Sequence, residues 1–327
     1  MRILITGADG LLGSNLVRLL LETEHEVSVL IHPSSKSWTL DGLNITKYSG
    51  NILSPESLNE PFHNQDAIIH AAASTAVWPS RSEIVRKINV EGTRNVVEAV
   101  LRHKIGRMIY VGSGSSVNAP GEPDPRYKFP GAKYGLDYID SKYEALNLVL
   151  DAVRDRGLPA LAVLPTFMIG PYDSLPGSGK MILALAQGKL KFYTRGGRNF
   201  IYVGDVAKAI VNSLSMGEIG SYYIAGNENL TYREFFTKVA GIVSKPAPKI
   251  LIAGFLVKAA GLTGSLSGAL LKQEPLLTYP MARISCDKQY VSGEKCRTEL
   301  GMPQTSIELA IRECYDWFLE NNYLKKN

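Results

Sequence analysis

"RILITGADGLLGSNLVRLLLE", residues 2–22, contains a strand, a turn and a helix in one short stretch. Residues 2–6 are a β-rich apolar run, and residues 11–22 carry apolar side chains at helical spacing. Between them Gly7, Gly10 and Gly13 stand three apart. One glycine permits the tight turn, one lets a pyrophosphate approach the backbone, and one allows helix and strand to pack closely. The helix N-terminus then offers free N–H groups and a partial positive charge to the phosphates. Asp9-Gly10 also suits an ordinary turn, but a strand before and a helix after point to a dinucleotide.

The same cadence continues outward. "EVSVLI" (26–31), "DAIIHAAA" (66–73), "RMIYVGS" (107–113) and "ALAVLPTFMIG" (160–170) are apolar runs of strand length, separated by helical segments near 82–104 and 134–156. Runs that are apolar on both faces belong to strands buried between two helix layers. The expected fold class is therefore α/β, a doubly wound parallel sheet of the Rossmann type. After residue 171 the cadence changes to a loop and a helix near 181–188. "RNFIYVGDVAKAIVNSL" (198–214) then reads as a return to the first unit. From about 219 follow the strand "SYYIAG", a helix started by Thr231, an apolar segment and the amphipathic "SIELAIRECYDWFLENN". The expected division is residues 1–170 plus about 199–218 for dinucleotide binding. About 171–198 and 219–327 form a smaller, partly discontinuous substrate unit.

Composition narrows the function classes. The chain has 327 residues, 45% hydrophobic and 20% charged, with net charge +5 and no block of like charges. An anionic small ligand fits this better than nucleic acid. The three cysteines, Cys286, Cys296 and Cys314, lack Cys-x-x-Cys spacing, and the five histidines form no ligating cluster. A metal-free cytoplasmic protein is expected. "ILIAGFLVKAAGLTGSLSGALL" (250–271) approaches membrane-spanning length, yet holds Lys258 and four glycines. It reads as two helices facing an apolar pocket, with no transmembrane span expected.

The end of the second strand bears on which dinucleotide binds. A carboxylate there would bond the ribose 2′-OH and repel a 2′-phosphate. Here stand Ile31 and His32, followed by Ser34, Ser35 and Lys36, which suit a phosphate. NADP is the expected cofactor, with NAD the alternative. Further along, "DYIDSKYEAL" (137–146) places Lys142 four residues after Tyr138, on one helix face.

The glycine turn, "HAAA" (70–73), "NVEGT" (89–93), "YVGSGSSVN" (110–118), "YIDSK" (138–142), "LPTFMIGP" (164–171) and "RNFIYVGDVA" (198–207) occur in order. Together they resemble an extended short-chain dehydrogenase/reductase, the NAD-dependent epimerase/dehydratase family. The resemblance runs from residue 1 to about 210 and more loosely to the C-terminus. Within the family "GSGSSVN" and the tail look most like the dihydroflavonol 4-reductase and 3β-hydroxysteroid dehydrogenase branch.

The resemblance implies a catalytic set of Ser113, Tyr138 and Lys142. Tyr138 would give a proton to the developing alkoxide as hydride reaches the carbonyl carbon. Ser113 would orient the substrate oxygen, and Lys142 would bond the nicotinamide ribose and hold the phenol's pKa down. It also implies cofactor contacts at Gly7, Gly10, Leu11, Leu12, Gly13, His32, Lys36, Asn51, Ile52, Ala71, Ala72, Tyr138, Lys142 and Pro165. The activity implied is reduction of a ketone or aldehyde of a fairly apolar small molecule. Trp78, Phe167, Met168 and the 250–271 segment are candidate pocket walls. A homodimer through helices 82–104 and 134–156 is expected by analogy.

Several residues depart from the family pattern. Gly112 and Gly114 stand where serine is frequent, which makes Ser115 and Ser116 competitors of Ser113. Gly114 and Ser115 replace the Asp-Glu pair of sugar-nucleotide dehydratases, which argues against dehydration. Asn51 replaces an aspartate that meets adenine. Tyr134 has no base at the right offset, Asn89 suits either a water anchor or a cap, and His70 reads as a satisfied core histidine. The alternatives are an NAD-dependent sugar-nucleotide epimerase, with Arg195 and Arg198 clamping a diphosphate, and a non-catalytic NADP(H)-binding sensor or subunit.

Overall fold

The computed structural model describes residues 1–117 and 130–324, so Asn118 of the 110–118 motif lies outside the described residues. Six strands in chain order, β1 (Arg2–Thr6), β2 (Glu26–Ile31), β3 (Thr46–Ser49), β4 (Ala67–His70), β5 (Arg107–Val111) and β6 (Ala160–Pro165), form most of one large sheet. With the edge strand Tyr222–Ala225 the order is edge strand, β6, β5, β4, β1, β2, β3, and every pairing is parallel. This is a Rossmann sheet, with its change of direction between β1 and β4.

Strand alternation divides the core. Ile3 and Ile5 face helix α1 (Leu11–Leu21) and the helix Val203–Asn212. Leu4, Ile68 and Met108 face the helices Gly92–Arg102 and Asp137–Arg156 on the other side. Both sheet faces are dry, which is why these strands read as unbroken apolar runs. The expected helix near 82–104 is continuous but changes pitch, with a π-helical turn at Lys87–Glu91.

Strand pairing departs from the sequence reading at three places. The run 160–170 breaks at Thr166, and Phe167–Ile169 pairs with Gly197–Tyr202 in a second sheet. Gly197–Tyr202 is the centre of that sheet, bonded also to Glu228–Thr231 and Lys288–Gln289, while the helix after it returns to the large sheet. Tyr222–Ala225, read as part of the substrate unit, is instead the seventh strand of the large sheet. The helix Tyr232–Val243 starts at Thr231 with a reciprocal Thr231–Glu234 cap, as expected. It packs with Phe200, Trp317 and Phe318 in a third cluster.

The apolar segment is one helix, Gly254–Leu271, long and apolar enough to cross a bilayer by length and composition, with 17% of its residues buried. It is not two helices facing a pocket. Its buried residues are Val257, Gly261 and Gly268, and none is leucine. No metal-binding group of His, Cys, Asp or Glu occurs among the described residues, and the three cysteines are free.

Candidate active site

The glycine turn is sterically fixed. Gly7 has φ +72°, and a Cβ there would lie 2.6 Å from the Ala72 nitrogen. A Cβ on Gly13 would lie 2.1 Å from the Gly7 carbonyl oxygen. Gly10 differs, because its Cβ would meet only the Gly7 oxygen at 3.6 Å. Nothing among the described residues requires glycine at position 10, so the small residue there leaves room for a ligand. That cradle lies at the uncapped start of α1, where a helix presents unpaired N–H groups. The turn therefore fits the phosphates of a dinucleotide.

Side chains tie the loop after β2 to this turn and to α1. Ser35 donates to the Asp9 carboxylate. Ser14 bonds Thr39 at 2.9 Å, and Arg18 bonds the Thr39 carbonyl at 2.7 Å. The loop carrying His32 and Lys36, both exposed, is thus stapled to the glycine turn and α1. Asp9 brings a carboxylate from the turn to the loop after β2, whose own end holds no acid. Ser35, read as a phosphate ligand, is bonded to it. Across the turn the Ala71 and Ala72 N–H groups bond the carbonyl and hydroxyl of Thr6. Asn51 accepts from the Leu53 N–H and so shapes its own turn, and Asn95 holds the Ile52 carbonyl. Leu11 and Leu12 form the first turn of α1, and Leu12 is buried. Pro165 ends β6 close to Gly114.

The proposed catalytic residues converge at the end of β5. Ser113 is buried, bonds the Ser115 hydroxyl at 2.7 Å and accepts from the Ser115 N–H at 3.3 Å. A Cβ on Gly112 would lie 2.3 Å from the tip of the Leu164 side chain, so serine there would require Leu164 to shift. Tyr138, one residue into its helix, packs with Val77 and Met281 around the buried cluster Tyr134, Leu136, Ile139 and Ile284. Burial raises its pKa above the usual phenol value, while the Ser113 hydroxyl and the Arg198 charge draw it back. Lys142, one turn on, is buried and bonds the Val111 carbonyl at 3.0 Å. Burial lowers its pKa to about 8.

This changes the electrostatics expected from the sequence. Lys142 was to hold Tyr138 down, yet its ammonium is turned to the β5 carbonyl, and desolvation outweighs every charge acting on the phenol. The cation that acts on Tyr138 is Arg198, on the second sheet. Arg198 lies over the Phe167 ring at 4.8 Å and bonds the Tyr232 hydroxyl at 2.9 Å. Its part was not legible, because residue 198 meets residue 138 only through the pairing of two sheets. Tyr110 was also missed. It is fully buried, its hydroxyl has no partner among the described residues, and the Tyr138 charge helps to raise its pKa.

The supporting residues are satisfied. His70 bonds Thr6 at 2.7 Å and Thr93 at 3.1 Å, and burial lowers its pKa to about 3, leaving it a neutral core histidine as read. Asn89 bonds the Ser74 backbone through both amide atoms and the Ser141 hydroxyl at 2.9 Å, tying the loop after β4 to the Tyr138 helix. Tyr134 bonds Asp287 at 2.7 Å, away from chemistry. Trp78 lies against Gly268, Phe167 under Arg198, and Met168 against the first core cluster.

The buried lysine makes a stability prediction. Between about pH 8 and pH 10.4 the unfolded chain holds a proton on Lys142 that the folded chain has lost, so stability rises with pH there. Below pH 8 the full penalty is present, about 3 kcal/mol before the Val111 bond offsets part of it. Lys142→Met should therefore be more stable than the parent at pH 7 by about 2 kcal/mol, with the gap closing by pH 10. Urea unfolding at both pH values reads this, and a gap independent of pH would refute it.

Comparison with known proteins shows the family. Residues 3–226 match the model of the NAD dependent epimerase/dehydratase family. A Synechocystis sp. protein described as a candidate dihydroflavonol 4-reductase is 30% identical over 98% of this chain and 95% of its own length. Sterol demethylase protein B of Methylococcus capsulatus is 26% identical over 99% of this chain and 100% of its own. The crystal structure of gox2253 superposes with TM-score 0.86 and 29% identity, covering 99% of each chain.

Proposed function

The chain belongs to the NAD dependent epimerase/dehydratase family, and from that premise we propose that it reduces a ketone or aldehyde of a fairly apolar small molecule. It is an NAD(P)-dependent enzyme of the extended short-chain dehydrogenase/reductase type. The observation that carries the reading is Tyr138, packed against the cluster of Tyr134, Leu136, Ile139 and Ile284, with Ser113 and Arg198 both acting on its phenol.

A bound, reduced nicotinamide supplies the hydride. Tyr138 gives its proton to the carbonyl oxygen as charge develops there, and Ser113 donates to the same oxygen. Burial keeps the phenol protonated at neutral pH, which suits a proton donor. Lys142, fixed on the Val111 carbonyl, has further N–H groups that would bond the nicotinamide ribose. The reductase in the name of the Synechocystis relative and the sterol in that of the Methylococcus relative both favour carbonyl chemistry on an apolar substrate. Purified protein should oxidise NADPH with apolar ketones or aldehydes. A panel that gives no turnover with either NADPH or NADH would overturn the reading.

The cofactor is NADP in this reading, held by His32 and Lys36. Asp9 opposes it, because its carboxylate lies where the loop carrying those residues is stapled. Asp9→Asn should lower the KM for NADPH about three- to tenfold with little change for NADH. Equal effects on both cofactors would count against a 2′-phosphate in that loop. One observation favours a second reading, a sugar-nucleotide substrate: the Arg198 cation acts at the phenol. Epimer formation from a sugar nucleotide in the presence of NAD would support that reading over the first. A twofold pairing through the helices Gly92–Arg102 and Asp137–Arg156 completes the proposal, and sedimentation velocity tests it.

A further inference from the structure

The helix Gly254–Leu271 is inverted relative to a core helix. Val257, Gly261 and Gly268 are its buried residues. A Cβ on Gly261 would lie 2.6 Å from the Ala282 side chain, and one on Gly264 2.3 Å from the Leu277 oxygen. The glycines thus let the helix lie against residues 273–284. Its large apolar residues point the other way. Phe255, Ala259, Leu262, Leu266 and Leu270, at i, i+4, i+7, i+11 and i+15, share one face. Phe255 is 71% exposed, Leu266 65% and Leu270 83%. The patch continues onto Ile250, Leu251 and Phe192, which are exposed on the short parallel ribbon Phe192–Tyr193/Ile250–Leu251 before the helix.

Charge decides what covers this face. Between Glu234 and Glu274 the chain carries Lys238, Lys245, Lys249, Lys258 and Lys272 and no acid. Lys238 is paired with Glu308, and the Lys258 charge reaches Asp287, itself held by Lys133 and Tyr134. Lys249, Lys258 and Lys272 are exposed, one before, one within and one at the end of the helix. A second copy seated on this patch would bring lysines against lysines. An anionic bilayer surface accepts both the apolar stripe and its basic border, with the lysine stems reaching to the headgroups.

We propose that the helix Gly254–Leu271 lies in the interface of an anionic membrane, its Phe255–Leu270 face among the acyl chains. The helix does not cross the bilayer, because its glycine face is occupied by residues 273–284. The proposal stands on the helix alone and does not depend on the reductase reading. It places Trp78, packed behind Gly268, and Met281, which touches the Tyr138 cluster, on the protein side of the same wall. An apolar substrate held in the bilayer would enter beside them.

Flotation of the full chain with phosphatidylcholine vesicles, with and without phosphatidylglycerol, tests this. Binding is expected with phosphatidylglycerol, weaker without it and weaker in high salt. Leu266→Ser with Leu270→Ser should lower that binding by about tenfold or more while the melting temperature stays as in the parent. No binding to either vesicle, or equal binding to both, would overturn the proposal. So would a dimer in sedimentation velocity that the double substitution dissolves, since a second copy would then be the cover.

Discussion

Tyr138→Phe should lower kcat for carbonyl reduction by about 100- to 10,000-fold while leaving cofactor affinity and melting temperature close to the parent. The ring stays in place against the cluster of Tyr134, Leu136, Ile139 and Ile284, so only the proton is lost. Steady-state turnover with fluorescence titration of the reduced cofactor separates the two effects. Ser113→Ala removes one neighbour that draws the phenol's pKa down and the donor beside it, so a smaller loss in kcat is expected there. A Tyr138→Phe enzyme with parental turnover would mean that the proton comes from elsewhere. Tyr110, buried with an unpartnered hydroxyl nearby in charge, would then be the first residue to examine.

The second large effect lies in the glycine turn and splits between two neighbours. Gly7→Ala forces an L side chain to φ +72° with its Cβ 2.6 Å from the Ala72 backbone. Its expected cost is about 2–4 kcal/mol of stability, read as a fall in melting temperature of about 3–6 °C, with cofactor binding lost as well. Gly10→Ala meets no protein atom closer than 3.6 Å at a conformation alanine adopts freely. It should keep the parent's stability and still lose cofactor affinity by tenfold or more, because its methyl fills the cradle. If Gly10→Ala bound the reduced cofactor as the parent does, the turn would not be the phosphate site.

The parts of this molecule that were legible in the sequence are those where one short segment carries its own physical reason. The glycine turn is local: strand, turn and helix are contiguous, and the steric demands on Gly7 and Gly13 come from residues 7–8 and 71–72. The strands β1, β2, β4, β5 and β6 were legible because both faces are buried. β3 was not, since "TKYS" is an exposed edge strand with no apolar run to betray it. The edge strand Tyr222–Ala225 lies some 57 residues beyond the end of β6, and nothing local ties it to the large sheet. Tyr138 and Lys142 share a helix face by spacing alone. Where the lysine points, and that Arg198 from another sheet acts on the phenol, depends on tertiary packing. The same holds for Asp9 and Ser35, whose contact supplies an acid that the end of β2 lacks. The segment 250–271 was legible as apolar but not as inverted, because the sequence does not say which face of a glycine–leucine helix turns inward.

The pH dependence of kcat/KM for reduction, measured on the parent and on the residual activity of Tyr138→Phe, tests most directly whether a buried, protonated phenol is the proton donor. Burial raises the Tyr138 pKa, so the rate should be flat through neutral pH and fall only on the alkaline side. The first loss is expected as Lys142 discharges near pH 8, and a further one as the phenol itself ionises. In Tyr138→Phe the later fall should vanish. A parental rate that climbs with pH across the neutral range would require an ionised phenol and contradict the assignment, as would an alkaline profile identical in the two proteins.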